Sequence, residues 1–361
     1  MSLPDFLTPT PESIDRVSPT MANQLLGCGL HVAFRRDPNH AGWHRPSEFS
    51  ALGSAAHAVT ESAYLRRDWP DDETELRGLL EAVWNNKIAD ERTKLIEAWS
   101  PSEPPPAEEW PGYHLTRART IRRCARLISN RQPHKPGEGP RPQVEVALKD
   151  RETGLWGRAD RIERSGGQMR VVDLKTGLRQ AEPTESQRRQ LMLYAVLCQR
   201  EYGEWPTEIA IESASGELTT MLLDPDEAEA ALRDVTLAVK GFNRAIGSGH
   251  DPLSMARPSV DQCRWCEFRV MCRPYWEHLQ SDWDHRSVLG EITGTGETDQ
   301  GSYVELCIHC PTEHAGADLN ISQLASPMRG DARWIAVTDY LGQASSGHVQ
   351  ARWSSQVRAW A

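Results

Sequence analysis

The stretch Val171-Val172-Asp173-Leu174-Lys175-Thr176-Gly177 decides the fold of this chain. Its apolar start after a diglycine turn predicts a β-strand, and Asp173 and Lys175 face the same side because strand side chains alternate. A second predicted strand upstream contains Gly157-Arg158-Ala159-Asp160. If the turn folds the two strands antiparallel, Asp160 comes close to Asp173, and such paired carboxylates suit Mg²⁺ or Mn²⁺.

The same pattern has a plainer interpretation, since two surface strands can carry solvated charges of this kind. Metal-assisted hydrolysis of a phosphodiester requires carboxylates that hold the cation and a positive group that stabilises the developing negative charge. Asp160, Asp173 and Lys175 are residues of these types. The D-x-K spacing alone does not decide between the two interpretations.

Periodicity on both sides of this stretch predicts an α/β core in which helices flank a small mixed sheet. Helical spacing precedes the strands, returns after them, and recurs once more after two further strands. The predicted helices cover 21–28, 47–65, 74–99, 117–131, 186–202 and 225–246, and the predicted strands cover 143–148, 154–163, 168–174, 207–213 and 218–223.

From about Ser287 the chain changes to short alternating segments separated by Gly, Asp and Ser. The predicted strands there cover 288–293, 303–309, 318–321, 334–339 and 348–353. So many short strands in succession favour a small all-β barrel, and an OB-type fold is the preferred prediction. The length of 361 residues predicts two or three domains, which we place at residues 1–284 and 285–361.

Composition is that of a globular protein, with 39% hydrophobic and 25% charged residues. No apolar run is long enough to span a bilayer, and the N-terminus lacks the pattern of a signal peptide. We therefore expect a cytoplasmic protein without a membrane partner, whose thiols stay reduced. The net charge of −10 argues weakly against a nucleic-acid partner, although a total charge hides local basic patches.

One basic patch is predicted on the helix that carries Arg117, Arg119, Arg122, Arg123, Arg126 and Arg131. Several of these residues are three or four positions apart, which places them along one side of a helix. A solvated helix face and a phosphate-binding face explain this spacing equally well.

Four of the eight cysteines form a second pattern on both sides of the predicted strands. Cys28 lies near the N-terminus, whereas Cys263, Cys266 and Cys272 follow far downstream as C-x2-C-x5-C. Four thiolates suit either Zn²⁺ or an iron–sulfur cluster, and the spacing leaves both open. Of the others, Cys124 and Cys198 are predicted core residues, and Cys307-Ile308-His309-Cys310 with His314 is a weaker candidate metal site.

Taken together, these motifs resemble the PD-(D/E)XK nucleases, and specifically their RecB-like branch. Members of that branch have G-x-x-D, then an apolar strand that ends in D-x-K-T, then a helix with Q-x3-Y. Gln190-Leu191-Met192-Leu193-Tyr194 matches the last motif, and Gly53-Ser54-Ala55-Ala56-His57 matches the histidine that the branch carries upstream. The resemblance covers roughly residues 18–280 and implies a restriction-endonuclease-like core.

The resemblance also implies a role for each matching residue. Asp160 and Asp173 would bind a catalytic Mg²⁺ or Mn²⁺, with the backbone carbonyl of Leu174 and the imidazole of His57 as further ligands. Lys175 would orient or activate the hydrolytic water. Gln190 and Tyr194 would position that lysine or the DNA backbone, and Glu145 is either another ligand or an ordinary exposed glutamate.

For the cysteines, the resemblance favours iron over zinc. AddB-type and CRISPR-associated nucleases of this branch hold a [4Fe–4S] cluster through one cysteine before the nuclease core and three after it. Cys28, Cys263, Cys266 and Cys272 match that arrangement. Such a cluster would act as a staple, because joining Cys28 to Cys263 closes a loop of roughly 235 residues.

The predicted function is metal-dependent hydrolysis of DNA, and the resemblance to stapled members of this branch implies action on single strands or at ends, as an exonuclease. The alternatives are a non-catalytic DNA-binding or assembly subunit, and a structure-specific endonuclease or RNase. The chain has no G-x4-G-K-[ST] phosphate loop, so a separate helicase or other partner is expected where strands must be opened. Repair, CRISPR adaptation and phage defence all use this core.

The predicted barrel suggests a contribution to the same function. An OB-like groove can bind a single strand by stacking bases on aromatic side chains. Trp334, Tyr340 and Trp353 are the candidates, and each is equally suited to the interior of the barrel.

Overall fold

The computed structural model describes residues 3–130, 141–177, 182–283, 286–299, 301–326 and 330–361. The chain begins with α1 (Pro19–Gly27), α2 (Gly29–Arg36), α3 (Glu48–Leu65), α4 (Glu73–Trp99) and α5 (Tyr113–Ser129). There follow β1 (Gln143–Lys149), β2 (Trp156–Ser165), β3 (Gln168–Lys175), α6 (Glu185–Tyr202), β4 (Glu208–Ser213), β5 (Leu218–Leu222) and α7 (Pro225–Gly247). The last part contains α8 (Val260–Arg264), α9 (Arg273–His278), β6 (Ser287–Thr298), β7 (Gly301–Cys310), β8 (Asp318–Leu324), β9 (Trp334–Thr338), β10 (His348–Gln350) and β11 (Gln356–Trp360).

Helix starts follow local capping chemistry. Ser18 caps α1, and its hydroxyl accepts a hydrogen bond from Met21 N at 3.2 Å. Thr184 and Gln187 form a capping box at the start of α6, and Asp224 caps α7 just before a proline. Because such caps satisfy backbone N–H groups within one turn, short-range sequence suffices to place these helix starts. None of the helices in the described ranges is long and apolar enough to cross a membrane.

The first sheet has the strand order β1-β2-β3-β4-β5. Neighbouring strands are antiparallel except β3 and β4, which run parallel and are joined by α6. A parallel pair needs a crossover of this kind, so α6 packs across the sheet and directs its side chains at the ends of β2 and β3. The predicted mixed sheet with flanking helices is therefore observed.

A buried ion network ties the helices to this sheet. Arg123 on α5 and Arg161 on β2 both donate to the carboxylate of Glu212 on β4, and their side chains are almost fully buried. Arg123 also donates to Thr60 on α3 at 3.2 Å. Because one carboxylate serves two buried guanidinium groups, this network depends on Glu212.

Replacing Glu212 with alanine should lower the free energy of unfolding by about 3–5 kcal/mol, since it leaves Arg123 buried without a counter-charge and Arg161 with Glu163 alone. Glu208→Ala is a matched control, because Glu208 lies on the same strand and pairs with the more exposed Arg170. That surface pair should contribute less than about 1 kcal/mol. Urea denaturation of both variants tests this, and equal losses would show that the network does not stabilise the fold.

The arginine-rich helix therefore does not present one continuous basic face. Arg123 is buried in the network, and Arg117 pairs with Glu81 at 3.1 Å. Arg122 and Arg126 are exposed, whereas Arg131 lies outside the described residues. Helical spacing predicted that several of these arginines share one side of the helix. It could not predict that Arg123 would contact Glu212, which is distant in sequence.

The C-terminal strands form a second sheet with the order β10-β8-β7-β6-β9-β11. All five predicted strands are present, and β11 is an additional strand that the sequence pattern missed. In the described ranges the ladder ends at β10 and β11 and does not close, so no closed OB-type barrel is observed. Alternation predicts strands, but closure depends on pairing between the first and last strands, which alternation does not specify.

This second sheet packs on the first part of the chain. Leu289, Cys310, Trp334 and Ala336 belong to the same core as Phe268, and Arg269 donates to Asp339. Phe6 and Trp360 make an edge-to-face contact with ring centroids 5.1 Å apart. The predicted boundary between residues 284 and 285 falls outside the described residues.

The aromatic residues proposed for base stacking are mostly interior. Trp334 is 7% exposed and Tyr340 is 4% exposed, so both are core residues. Trp353 packs edge-to-face on Trp99, with ring centroids 5.7 Å apart. A barrel-type stacking surface built on these three residues is therefore not supported.

Candidate active site

Side chains from α3, β1, β2, β3 and α6 meet where the β2–β3 ladder ends. The last pair of that ladder is Arg161 with Val172, so Asp160 and Asp173 lie one residue beyond it. α3 approaches closely here, since a Cβ added at Gly53 would lie 3.6 Å from the hydroxyl of Thr176. The structure places all of the predicted site residues in this region: His57, Glu145, Asp160, Asp173, Leu174, Lys175, Gln190 and Tyr194.

Three of these residues form a cation-sized group. His57 Nδ1 lies 3.5 Å from Glu145 Oε1 and 3.7 Å from Asp160 Oδ1. One ligand atom from each residue lies within 4.8 Å of the other two. The β1–β2 register, in which Val144 pairs with Arg161 and Val146 with Ala159, sets Glu145 opposite Asp160. Glu145 thus points to the site and lies beside His57 and Asp160.

Glu145 also has an unusual backbone, with a φ of 51°. The left-handed region is costly for a residue with a Cβ, and such conformations cluster at functional sites. This backbone conformation could not be predicted from the sequence, because a glutamate in an alternating strand is common.

The carboxylates of this group repel one another at a half-buried position. Burial, with the charges of Asp173 and Glu145, raises the pKa of Asp160 to about 6, although His57 and the N–H of Leu174 act to lower it. That N–H donates to Asp160 Oδ2 at 2.6 Å. Burial lowers the pKa of His57, but the bond to Glu145 and the neighbouring carboxylates outweigh it and raise that pKa. A cation at this place would relieve the repulsion.

Asp173 lies beside this group and is held by two other residues. Gln190 Nε2 donates to Asp173 Oδ1 at 3.2 Å, and Lys175 Nζ donates to Gln190 Oε1 at 3.3 Å. Lys175 Nζ also lies 2.8 Å from Asp173 Oδ2, but not in hydrogen-bonding geometry, so this buried oxygen has no hydrogen-bond partner. An ammonium and a carboxylate oxygen that accepts no hydrogen bond are thus fixed next to the His57–Glu145–Asp160 group.

Tyr194 completes the α6 side of the site. Burial, together with the charges of Asp160 and Asp173, raises the pKa of its phenol, so it stays protonated at neutral pH. Its ring explains the glycine of the G-x-x-D motif, because a Cβ at Gly157 would lie 2.9 Å from Tyr194 Cε1 and 3.1 Å from Pro19 Cδ. Gly157 therefore permits α6 and α1 to approach β2.

These residues fit a hard divalent cation such as Mg²⁺ or Mn²⁺. The carboxylates of Glu145, Asp160 and Asp173 offer oxygen ligands, His57 adds an imidazole, and Asp173 Oδ2 is a buried oxygen that accepts no hydrogen bond. When bound, such an ion supplies Lewis-acid activation of a phosphodiester and lowers the pKa of a coordinated water. The ammonium of Lys175 lies next to this position and can hold a water or a phosphate oxygen there.

The pKa shifts predict a pH-dependent affinity for cations. Protons on Asp160 and His57 compete with a bound ion, so affinity for Mn²⁺ should fall as the pH drops through about 6 and level off towards neutral pH. The expected slope is about tenfold per pH unit for each proton displaced. Calorimetric titration between about pH 5 and 8 measures it, and a flat profile would contradict the assignment of these two ligands.

The cysteines Cys28, Cys263, Cys266 and Cys272 line one shared cavity between α2, α8 and α9. Cys28 caps the start of α2 and Cys272 the start of α9. The predicted helices include none of α2, α8 and α9, so the structure adds all three. Burial raises the pKa of Cys263, Cys266 and Cys272, and nearby thiols add to each shift.

The spacing of these sulfur atoms bears on the choice of metal. In any trio of them, at least one pair of sulfurs is more than 4.8 Å apart. Four thiolates around one zinc lie about 3.8 Å apart, since each Zn–S bond is about 2.3 Å in tetrahedral geometry. Thiolate ligands from these four cysteines suit zinc and iron–sulfur clusters alike, so this spacing does not decide between them.

Sequence reasoning missed two histidines beside this cavity. Glu267 accepts from His44 Nδ1 at 2.8 Å, and its second oxygen lies 3.4 Å from His31 Nε2. Burial raises the pKa of Glu267, but the two histidines outweigh it and bring that pKa well below its usual range. Glu267 directly follows Cys266 in sequence, which was the available signal.

The remaining cysteines have ordinary surroundings. Cys124 and Cys198 are fully buried, as predicted. His309 packs on Trp334, with ring centroids 4.5 Å apart. Within the described ranges, Cys307, His309 and Cys310 do not come together as a metal-binding group.

Comparisons with known proteins address the family. No curated protein matches the chain. A solved structure titled "Crystal structure of SSO0001" shares 15% sequence identity and covers 63% of this chain and 95% of its own, but its TM-score of 0.28 is too low to inform the fold. The family model described as the PD-(D/E)XK nuclease superfamily matches residues 16–273, which include every side chain of the site described above. This chain therefore belongs to the PD-(D/E)XK nuclease superfamily.

Proposed function

We propose that this protein is a Mg²⁺- or Mn²⁺-dependent deoxyribonuclease that acts on single-stranded DNA or on DNA ends. Membership of the superfamily supports a nuclease. The observation that carries the proposal is the combination of a His57–Glu145–Asp160 group with Asp173 and Lys175 beside it. It provides ligands for a cation and a fixed ammonium within one site, as hydrolysis of a phosphodiester requires.

The proposed roles of the residues differ: some would bind the cation, one would act on the water and the phosphate, and others position these groups. His57, Glu145, Asp160 and Asp173, with the backbone carbonyl of Leu174, would hold the cation. Lys175 would orient the attacking water and donate to a phosphate oxygen as negative charge develops there. Gln190 keeps Lys175 and Asp173 in place through its two hydrogen bonds, and Tyr194 packs behind them.

For the cysteine cavity we propose a [4Fe–4S] cluster as a structural staple. The four thiols come from both ends of the nuclease part and line one cavity. A cluster there would tie α2 to α8 and α9. The proposal assigns no step of hydrolysis to the cluster.

The preference for single strands or ends, and the exonuclease mode, follow from the resemblance to stapled members of the RecB-like branch. A separate helicase or defence or repair protein would supply the strand, because the chain has no phosphate loop of its own. The pathway can be repair, CRISPR adaptation or phage defence.

The experiment uses the purified protein on matched nucleic acids. Single-stranded DNA, duplex DNA and RNA, each labelled at the 5′ end or the 3′ end, are incubated with Mg²⁺ or Mn²⁺. We expect labelled single-stranded DNA to be shortened from one end, duplex to react more slowly, and RNA to persist. The absence of cleavage of every substrate would overturn the proposal and favour a non-catalytic assembly subunit, whereas internal cuts or RNA hydrolysis would correct its specificity.

A further inference from the structure

An open groove of about 680 Å³ begins next to the carboxylates and follows the exposed face of β1 and β2. Side chains alternate along both strands there. Lys149 pairs with Trp156 and Ala147 pairs with Arg158, and all four are exposed. Leu148, on the opposite face, is buried in the core. This exposed face forms one wall of the groove, and the residues that line it from outside this face include Leu148, Leu155, Gly157 and Glu201.

Arg158 joins this face to the site. Its Nη1 lies 3.8 Å from Glu145 Oε2, and its side chain is 65% exposed. Trp156 lies four residues before Asp160, which is about 13 Å along a strand. That distance corresponds to about four nucleotides of a stacked single strand.

The groove carries more basic than acidic side chains that are free to bind a ligand. Its basic residues are Arg16, Lys149, Arg151 and Arg158, and its acidic residues are Asp15, Asp150 and Glu201. Asp150 is occupied, because it accepts from Thr153 Oγ1 at 2.7 Å and from Glu152 N at 3.0 Å. Within the described ranges, Arg16, Lys149 and Arg151 make no ion pair.

The walls of the groove are held by backbone hydrogen bonds. Val17 N donates to Gly154 O at 3.0 Å, and Trp156 N donates to Val17 O at 3.1 Å. These bonds join the segment of Arg16 to the start of β2, so Arg16 and Trp156 are held close together. Preformed walls reduce the entropy lost when a flexible strand binds.

Trp156 is 49% exposed, in contrast to the interior Trp334. An indole set among basic groups is the arrangement that binds unpaired bases, because every base has a face that can stack and every phosphate carries a charge. A duplex offers no free base face along its length, so stacking of this kind favours a single strand.

We propose that this groove binds the part of a single DNA strand that flanks the scissile phosphate. Trp156 stacks on a base, Arg158 contacts the phosphate nearest the site, and Lys149, Arg151 and Arg16 contact phosphates further along. The inference rests on the proposed function and gives it a strand path that the C-terminal sheet does not supply.

The first test measures binding without cleavage. Anisotropy of a fluorescent oligothymidylate is titrated with protein in a chelator. Trp156→Ala should weaken binding about 5- to 150-fold, as expected for loss of one stacked base, whereas Trp156→Phe should retain most of it. Trp265→Ala is the matched control, because Trp265 is 74% exposed but does not line the groove. Equal binding by wild type and Trp156→Ala would overturn the proposal.

A second pair of variants tests the charges and does not depend on the indole. Lys149→Gln and Arg151→Gln should each reduce the slope of log affinity against log salt by about 0.7, the value for one phosphate contact on a single strand. Unchanged slopes in both would contradict the strand path even if Trp156→Ala were poorly folded.

A small substrate separates this inference from the proposed function. Bis(p-nitrophenyl) phosphate has no flanking nucleotides, so Trp156→Ala should hydrolyse it at the wild-type rate while degrading single-stranded DNA more slowly at limiting DNA. If wild type hydrolyses neither substrate, the proposed function fails. If wild type cleaves both and Trp156→Ala matches it on both, only the groove proposal fails.

Discussion

Replacing Lys175 with methionine is expected to slow cleavage of single-stranded DNA about 10²–10³-fold, the usual effect of removing one group that stabilises developing charge. Lys175 Nζ lies 2.8 Å from Asp173 Oδ2 and 3.3 Å from Gln190 Oε1, so the ammonium is held in place and solvent cannot easily replace it. Methionine keeps the apolar stem. Cation affinity should be unchanged or higher, because a positive charge next to the carboxylates is lost.

The measurement combines initial cleavage rates with calorimetric titration of Mn²⁺. Asp173→Asn should lose cleavage and also bind the cation more weakly, which separates a ligand from a group that acts on the substrate. Lys240→Met is the control, because Lys240 is an exposed lysine on α7, away from the site. If Lys175→Met cleaves DNA at the wild-type rate, another residue carries the role given to Lys175.

Replacing Cys28 with alanine is expected to remove or destabilise the cluster and to lower the free energy of unfolding by up to roughly 5 kcal/mol. That figure treats the cluster as a covalent link that closes a loop of roughly 235 residues, and it is an upper limit. Cys28 is the only proposed ligand from the N-terminal side of the nuclease part, so its loss opens the loop. Iron content and denaturation of anaerobically purified protein measure both effects.

Cys198→Ala is the matched control for that variant. Cys198 is fully buried on α6 and lies outside the cysteine cavity, so its replacement removes packing without removing a ligand. It should keep the iron of the wild type. A colourless wild-type protein with one zinc per chain would contradict the cluster, and full iron in Cys28→Ala would contradict Cys28 as a ligand.

Local sequence signals predicted much of the fold. Caps at Ser18, Ser47 and Thr184 fix helix starts within one turn, and alternation fixes the faces of β2 and β3. The short turn between β2 and β3 brings Asp160 and Asp173 together, and spacing of one helical turn aligns Gln190 with Tyr194. The side chains of the candidate site were predictable because short segments position most of them.

Contacts between distant segments were not predictable in this way. The sequence shows Arg123 only as one of several arginines on a helix. Its burial depends on a hydrogen bond to Glu212, which lies on a strand far along the chain. The choice between an open sheet and a barrel depends on the edges formed by β10 and β11, and β11 was not recognised. Glu145 and Trp156 gain their significance only from the register of β1 with β2.

The central claim is that the carboxylates of β1, β2 and β3, with His57 and Lys175, form a cation-dependent nuclease site. The most direct measurement is the initial rate of nucleotide release from end-labelled single-stranded DNA as Mg²⁺ or Mn²⁺ is raised, for wild type and Asp160→Asn. We predict that the wild-type rate rises to saturation with the cation and vanishes in a chelator, while Asp160→Asn stays inactive at the same concentrations. Equal rates for the two proteins, or cleavage that persists in the chelator, would contradict the claim.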